Sequence, residues 1–231
     1  MQIIQKIIFL YKSNSNLEIF YKFLITKLKN IYFKKKIKEK KKGHVEFLKK
    51  KILTHDYFSK HAFNFNEILK SYKKFEYLEI GSFEGNSSMF VAKNFPDSKI
   101  YCVDNWVGTE EYENLKFSNI EKNFDQNMSE FNNYFKLKKS SDDFFNTNNK
   151  KFDVIYIDGY HKGSQVYKDF KNSWKVLNEN GVIIFDDYIW NFYKNLKDNP
   201  CYMINLHLKE IKNKVKILKV SNSQLFIQKI C

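Results

Sequence analysis

The sequence predicts an α/β fold: a sheet of about seven mostly parallel strands with a C-terminal antiparallel hairpin and helices on both faces. Three observations predict it. From residue 76 onward, short apolar runs alternate with segments of helical spacing. Four of those runs end in glycine or acid, at Gly81, Asp104, Asp158 and Asp186–Asp187. The chain closes on two β-type runs about a polar Ser-Asn-Ser turn.

With 231 residues the chain fits one domain of ordinary size plus an appendage. The net charge of +14 is unevenly placed. Residues 1–51 hold 15 Lys against 3 acidic residues, whereas residues 52–231 hold 25 Lys against 23. The basic character therefore belongs to an N-terminal extension, 1–51, ahead of a nearly neutral body, 52–231. Every basic residue is Lys, and Asn, Ile, Phe and Tyr are frequent. That is the pattern of AT-rich codon usage, so Lys count alone identifies no partner. Cys102, Cys201 and Cys231 show no zinc-type spacing and fit a reducing cytoplasm. No apolar run reaches the roughly 18 residues of a membrane span. The opening MQIIQKIIFLYK is too short and too broken by Lys6 for a signal peptide. The expected location is cytoplasmic, peripheral to the inner membrane face at most.

In the extension, Ile7, Leu10, Ile19, Phe20, Phe23, Leu24 and Leu28 can line helical faces, and Lys34–Lys42 reads KKKIKEKKK. The favoured reading is a helical or partly disordered, solvated lead-in. The other is a basic amphipathic segment resting weakly on anionic lipid or nucleic acid. The stretch HDYFSKHAFNFNEIL places Tyr57, Phe58, Phe63 and Phe65 beside His55 and His61. It is expected to cover a pocket mouth or to pack on the sheet.

Glu76–Ile80 is the first strand, followed by a turn with Gly81 and Gly85 and a helix from Asn86 to Asn94, which Phe95–Pro96 ends. Lys99–Asp104 is the second strand. A helix is expected within 114–132, a third strand over Tyr134–Lys138, and a loop at Ser140–Asp143. Phe152–Asp158 is a buried strand. Val166, Phe170, Trp174 and Leu177 mark a helix that Asn180–Gly181 closes, with glycine as the left-handed cap. Val182–Trp190 is a further strand run carrying two acids, and a helix spans about 201–212 before the hairpin. Strand, glycine turn and helix together describe a Rossmann-like nucleotide crevice, although Ser88 stands where a dinucleotide fingerprint has its third glycine.

Parallel strands carry their carboxyl ends on one edge, so Gly81–Ser82, Asp104, Asp158 and Asp186–Asp187 are expected to converge. Asp104, 23 positions beyond Gly81, suits ribose hydroxyls; a turn cap is the plainer alternative. Asp158, Asp186 and Asp187 offer hard oxygen ligands for Mg²⁺ or another divalent cation. His161 stands three residues past Asp158 as a proton acceptor, or is an ordinary surface residue.

At LEIGSFEGNSS, YCVDNW, FDVIYIDGYH and GVIIFDDYIW, in that order, the chain resembles class I S-adenosylmethionine-dependent methyltransferases, in the bacterial branch of macrocin O-methyltransferase-like enzymes. The resemblance covers about residues 55–229. It implies that Glu79, Gly81, Ser82 and Gly85 cradle the methionine part of S-adenosylmethionine and that Asp104 binds its ribose. Asn105 and Trp106 would flank the adenosine, with Ser141 and Asp142 near the adenine. Asp158, Asp186 and Asp187 match the acids that bind the ion in metal-dependent O-methyltransferases, with Asp158, His161 and Asp186 as the catalytic set. One departure is Asp-Asp at 186–187, where plant and animal members carry Asp-Asn.

The expected activity is thus methyl transfer to an oxygen of a small molecule or glycan, with or without a divalent ion. The alternatives are an NAD(P)-binding Rossmann oxidoreductase, and a non-catalytic basic module for membrane or nucleic acid. No Asn/Asp-Pro-Pro-aromatic motif occurs, so no specific nucleic-acid partner is expected; a homo-oligomer is compatible with the sequence.

Overall fold

A computed structural model describes residues 2–108 and 119–230. Seven strands, β1 (Glu76–Ile80), β2 (Lys99–Asp104), β3 (Tyr134–Lys138), β4 (Phe152–Ile157), β5 (Leu177–Phe185), β6 (Val215–Val220) and β7 (Leu225–Lys229), form a sheet of order β3-β2-β1-β4-β5-β7-β6. The pairs β1–β2, β2–β3 and β4–β5 are parallel; β7 is antiparallel to both β5 and β6. The helices are α1 (Ile3–Lys12), α2 (Leu17–Tyr32), α3 (Lys34–Leu48), α4 (Ala62–Leu69), α5 (Asn86–Asn94), α6 (Ile120–Met128), α7 (Ser141–Thr147), α8 (Gly163–Val176) and α9 (Pro200–Glu210). This is the expected Rossmann-like α/β sheet with a terminal antiparallel pair. The chain divides into two compact units, Asn30–Phe144 and Met1–Lys29 with Phe145–Cys231.

In Asn30–Phe144, β1 and β2 are buried at nearly every position because both their faces are covered. Their register pairs Glu79 with Cys102 and Ile80 with Val103, which brings the two strand ends level. Gly81 then donates its N–H to the Val103 carbonyl, so the glycine turn starts beside the end of β2. Helix α3 buries His44 and Leu48 in this unit. The His44 ring lies edge-on to Phe58 and Phe90, and its Nε2 is 2.8 Å from Asn86 Oδ1 at the start of α5. Phe58 and Phe65 are buried in the same ring cluster. Of the aromatic stretch 57–65, Phe58 and Phe65 therefore supply core here, whereas Tyr57 is half-exposed and Phe63 is only partly buried. Each such buried ring contributes roughly 1.5–3 kcal/mol of transfer free energy.

In the other unit, β4 and β5 form an apolar parallel pair that β7 extends. Helix α1, the following turn and α2 are folded against this unit and are no solvated tail. Leu10, Ile19 and Phe23 are buried, and Asn205 of α9 donates to the Ser13 carbonyl at 2.8 Å and to Ser15 Oγ at 2.9 Å. The lysine-rich extension concealed these contacts because its apolar positions are diluted by charge.

Local corrections follow from turn chemistry. Residues 140–143 start α7 instead of forming a loop: Asp143 N–H donates to Ser140 Oγ, and that hydroxyl donates back to Asp143 Oδ2. The left-handed residue after α8 is Asn180 (φ 62°), not Gly181. Gly181 is needed for space, since a Cβ there would lie 2.8 Å from the Asn178 carbonyl oxygen. β5 already begins at Leu177 and stops at Phe185, just before the paired acids.

Candidate functional site

The first group of site residues lies in Asn30–Phe144 around the glycine turn. Gly81 (φ 87°) and Gly85 (φ 82°) both take the left-handed conformation that glycine adopts without a Cβ penalty. A Cβ on Gly85 would also press on Phe124 at 3.2 Å and Met128 at 3.3 Å of α6. Glu79, fully buried at the end of β1, accepts hydrogen bonds from the hydroxyls of Ser87 and Ser88 in the first turn of α5. It thus fixes the helix start behind the turn. Ser82 Oγ is buried beside the Cys102 thiol and has no other hydrogen-bond partner among the described residues.

Asp104 holds the opposite side of this turn. Its Oδ2 accepts the N–H of Phe83 at 2.8 Å and its Oδ1 that of Trp106 at 2.7 Å, with the N–H groups of Ser82 and Asn105 adding to the set. Burial raises its pKa above the ordinary carboxyl value, while these backbone donors pull it back. Phe83 (φ 47°) and Trp106 (φ 54°) are both left-handed, a conformation that costs a non-glycine residue roughly 1–3 kcal/mol. One carboxylate therefore stabilises two strained residues. The Trp106 ring is buried against Phe124, and its Nε1 donates to the Phe83 carbonyl. Asn105 is exposed, with its Oδ1 accepting the Val107 N–H. Ser141 and Asp142 stand in the first turn of α7; β3 reaches Asp104 through Lys139 N–H donating to its carbonyl.

A residue the sequence reading overlooked, Glu84, is buried inside the turn. It accepts from the N–H and hydroxyl of Thr54 and from Asn123 Nδ2, while its carbonyl accepts from Asn127. It ties the turn to the 52–54 segment and to α6. Residues 109–118, which include the start of the stretch 114–132 where a helix is expected, lie outside the described residues.

The second group lies in the other unit, past β4 and β5. The structure brings Asp158, His161, Asp186 and Asp187 together, and adds Tyr156. The buried Tyr156 hydroxyl is 2.9 Å from Asp158 Oδ2 and 2.7 Å from Asp186 Oδ2. A phenol donates one proton, so it cannot satisfy two ionised carboxylates. Burial first, then the Asp186 charge, pushes the Asp158 pKa up to about 7. Its side chain keeps 27% of its surface accessible, so the carboxyl is partly open to solvent. His161 Nε2 lies 3.4 Å from Asp158 Oδ1 and 3.7 Å from Asp187 Oδ2, with its ring edge-on to Trp190. Asp187 is itself left-handed (φ 46°) and donates its N–H to Asp186 Oδ1. Among the described residues, no three His, Cys, Asp or Glu side chains are arranged to hold a metal ion.

Residues 78–188 match the family model described as a methyltransferase domain. The chain is 29% identical over 112 residues to an uncharacterised protein, R132, of Acanthamoeba polyphaga mimivirus. That match covers 48% of this chain and 51% of the relative, so the chain spans about half the length of the curated protein it matches. Three solved structures share the fold at low identity. A Staphylococcus aureus protein provisionally described as a caffeoyl-CoA O-methyltransferase superposes with a TM-score of 0.60 at 17% identity, over 87% of this chain and 99% of that one. The MycE methyltransferase of the mycinamycin pathway, solved with Mg, SAH and mycinamycin VI, gives 0.56 at 14%, over 76% and 51%. The O-methyltransferase NovP gives 0.54 at 13%, over 72% and 76%.

Proposed function

We propose that the chain moves a methyl group from S-adenosylmethionine to an oxygen of a small molecule or glycan. The observation that carries this reading is the turn in which Gly81, Gly85 and Asp104 are held together, inside the stretch that matches a methyltransferase-domain model. Two left-handed glycines, the open N-terminus of α5 and the poorly satisfied Ser82 hydroxyl fit the methionine end of such a donor. Asp104, with Asn105 and Trp106, is the ribose and adenosine side, and Ser141 and Asp142 the adenine side. The donor supplies an activated sulfonium methyl, so no covalent nucleophile is required of the protein.

The chain's own task is then to align an acceptor oxygen and take its proton. His161, steadied by Asp158 and Asp187, is the proton acceptor, and Tyr156 keeps Asp158 and Asp186 in place. The free, buried Cys102 and Cys201 suit a reducing cytoplasm as the place of the reaction.

The test has two parts. Calorimetry should show S-adenosylhomocysteine binding and no heat with NAD. Labelled methyl from S-adenosylmethionine should appear on a hydroxyl of a sugar or phenol. NAD binding without S-adenosylhomocysteine binding would establish the oxidoreductase reading instead.

A divalent ion is a second part of the reading, suggested by the Mg in the MycE complex, although the neighbouring Asp158, Asp186 and Asp187 are not set here as a ligand group. Because Asp158 and Asp186 are tied to one phenol here, no step is routed through an ion. Turnover measured with Mg²⁺ and with chelator decides it: equal rates remove the ion from the reaction.

A further inference from the structure

Helix α2 has two apolar faces, and only one of them is covered. Ile19, Phe23 and Thr26 are buried. On the opposite side Leu17, Tyr21, Leu24, Leu28 and Ile31 follow each other at spacings of four and three, which is one unbroken stripe of a helix. These five side chains are between 50% and 85% exposed, and no charge interrupts them. Helix α1 repeats the pattern with exposed Ile4, Ile8 and Tyr11. An exposed apolar stripe of this length on a folded protein marks an interaction surface.

Charge decides between the occupants. Residues 1–51 carry 15 Lys against 3 acidic residues, so a second copy of the same segment would be repelled. On α2, Lys29 lies on one side of the stripe and Lys27, three residues past Leu24, on the other, with Glu18 the one acid of the helix. An apolar face with exposed Tyr and flanking Lys is the composition of a helix lying in the interface of an anionic bilayer. No helix among the described residues is long and apolar enough to cross a membrane, so the mode is lying on, not spanning. The hydrogen bonds from Asn205 to Ser13 and Ser15 hold the turn between α1 and α2, so the stripe is presented by a docked helix. We propose that α1 and α2 seat this protein on an anionic membrane surface through the Leu17–Ile31 stripe.

The test uses the full chain and sedimentable vesicles, either of phosphatidylcholine alone or with about 30% phosphatidylglycerol. Binding is expected to the anionic vesicles only, weakening several-fold as salt is raised. Leu24→Glu with Leu28→Glu should lower partitioning on the order of tenfold or more, with an unchanged melting midpoint because both side chains are exposed. Should that pair disturb folding, Lys27→Gln with Lys29→Gln tests the charge half, with several-fold weaker binding expected. Each of the following overturns the proposal: no vesicle binding, equal binding to neutral vesicles, or full binding by both sets of variants. So does a concentration-dependent dimer, dissolved by Leu24→Glu and Leu28→Glu, that binds no vesicle. Binding to a single-stranded RNA that is indifferent to the stripe, with none to vesicles, overturns it too.

Discussion

The hydroxyl of Tyr156 lies 2.7 Å from Asp186 Oδ2, and the same oxygen is within reach of Asp158. Removing it in Tyr156→Phe leaves two buried-side carboxyls without the group between them. The loss of hydrogen bonds to charged acceptors should destabilise the fold by about 1.5–3 kcal/mol, read from urea unfolding. If Tyr156 positions the acids for proton transfer, turnover should fall at least tenfold while S-adenosylhomocysteine affinity stays within about twofold. A variant that loses stability and keeps its turnover would confine Tyr156 to a structural role.

Asp158 gives a pH dependence with a definite sign. Its carboxyl is raised from 3.8 to about 7 in the folded chain, so the native state holds a proton that the unfolded chain has released between those values. The stability from this group is complete below about 4 and is lost as pH rises to about 7. Asp158→Asn should flatten that part of the stability curve relative to the parent, measured by unfolding across this range in chelator. Parallel curves for the two proteins would show that the carboxyl titrates normally.

The strands that build the glycine turn were legible because local chemistry and burial agree there. Glu76–Ile80, Asn86–Asn94, Lys99–Asp104 and Tyr134–Lys138 have the bounds their apolar runs and turn residues predict. Tyr156 was hidden inside a mostly apolar strand run, although residues two apart on a strand share a face and so set it beside Asp158. His44 gave less signal still: it is a single residue in a lysine-rich helix, and its partners Asn86, Phe58 and Phe90 are remote in sequence. Asp104 had two readings, ribose ligand and turn cap. The structure supplies the cap, and a ligand contact is compatible with it because a carboxylate has lone pairs on both oxygens.

Asp104→Asn separates those two uses. An amide NH₂ turned toward the N–H of Phe83 or Trp106 replaces an acceptor with a donor. The turn should lose about 2–3 kcal/mol, visible as a lower unfolding midpoint. S-adenosylhomocysteine binding should weaken beyond what the unfolded fraction explains. Stability equal to the parent would show that the carboxylate does not hold the left-handed pair.

Two glycines should respond in opposite directions. Gly85→Ala puts a Cβ on a left-handed residue pressed against Phe124 and Met128, and should cost about 1–3 kcal/mol. Gly43→Ala places a methyl in open space on the exposed side of α3 and should stabilise by about 0.5–1 kcal/mol. Chemical denaturation of both reads the contrast. Stabilisation by Gly85→Ala would mean that the turn takes another conformation.

Asn205 is the side chain on which the N-terminal helices depend. Its Oδ1 accepts from the Tyr188 hydroxyl at 2.7 Å, while its Nδ2 donates to the Ser13 carbonyl and to Ser15 Oγ. Tyr188 follows directly on Asp186 and Asp187, so one amide joins the turn between α1 and α2 to the segment that carries the acids. Asn205→Ala leaves a buried carbonyl and a buried phenol short of partners, a cost of about 2–3 kcal/mol. Hydrogen exchange should then quicken across residues 3–28 and around Tyr188 together, because both lose the same anchor. Faster exchange in the helices with an unchanged Tyr188 segment would show that α1 and α2 are held by apolar packing of Leu10, Ile19 and Phe23 and that the amide transmits nothing.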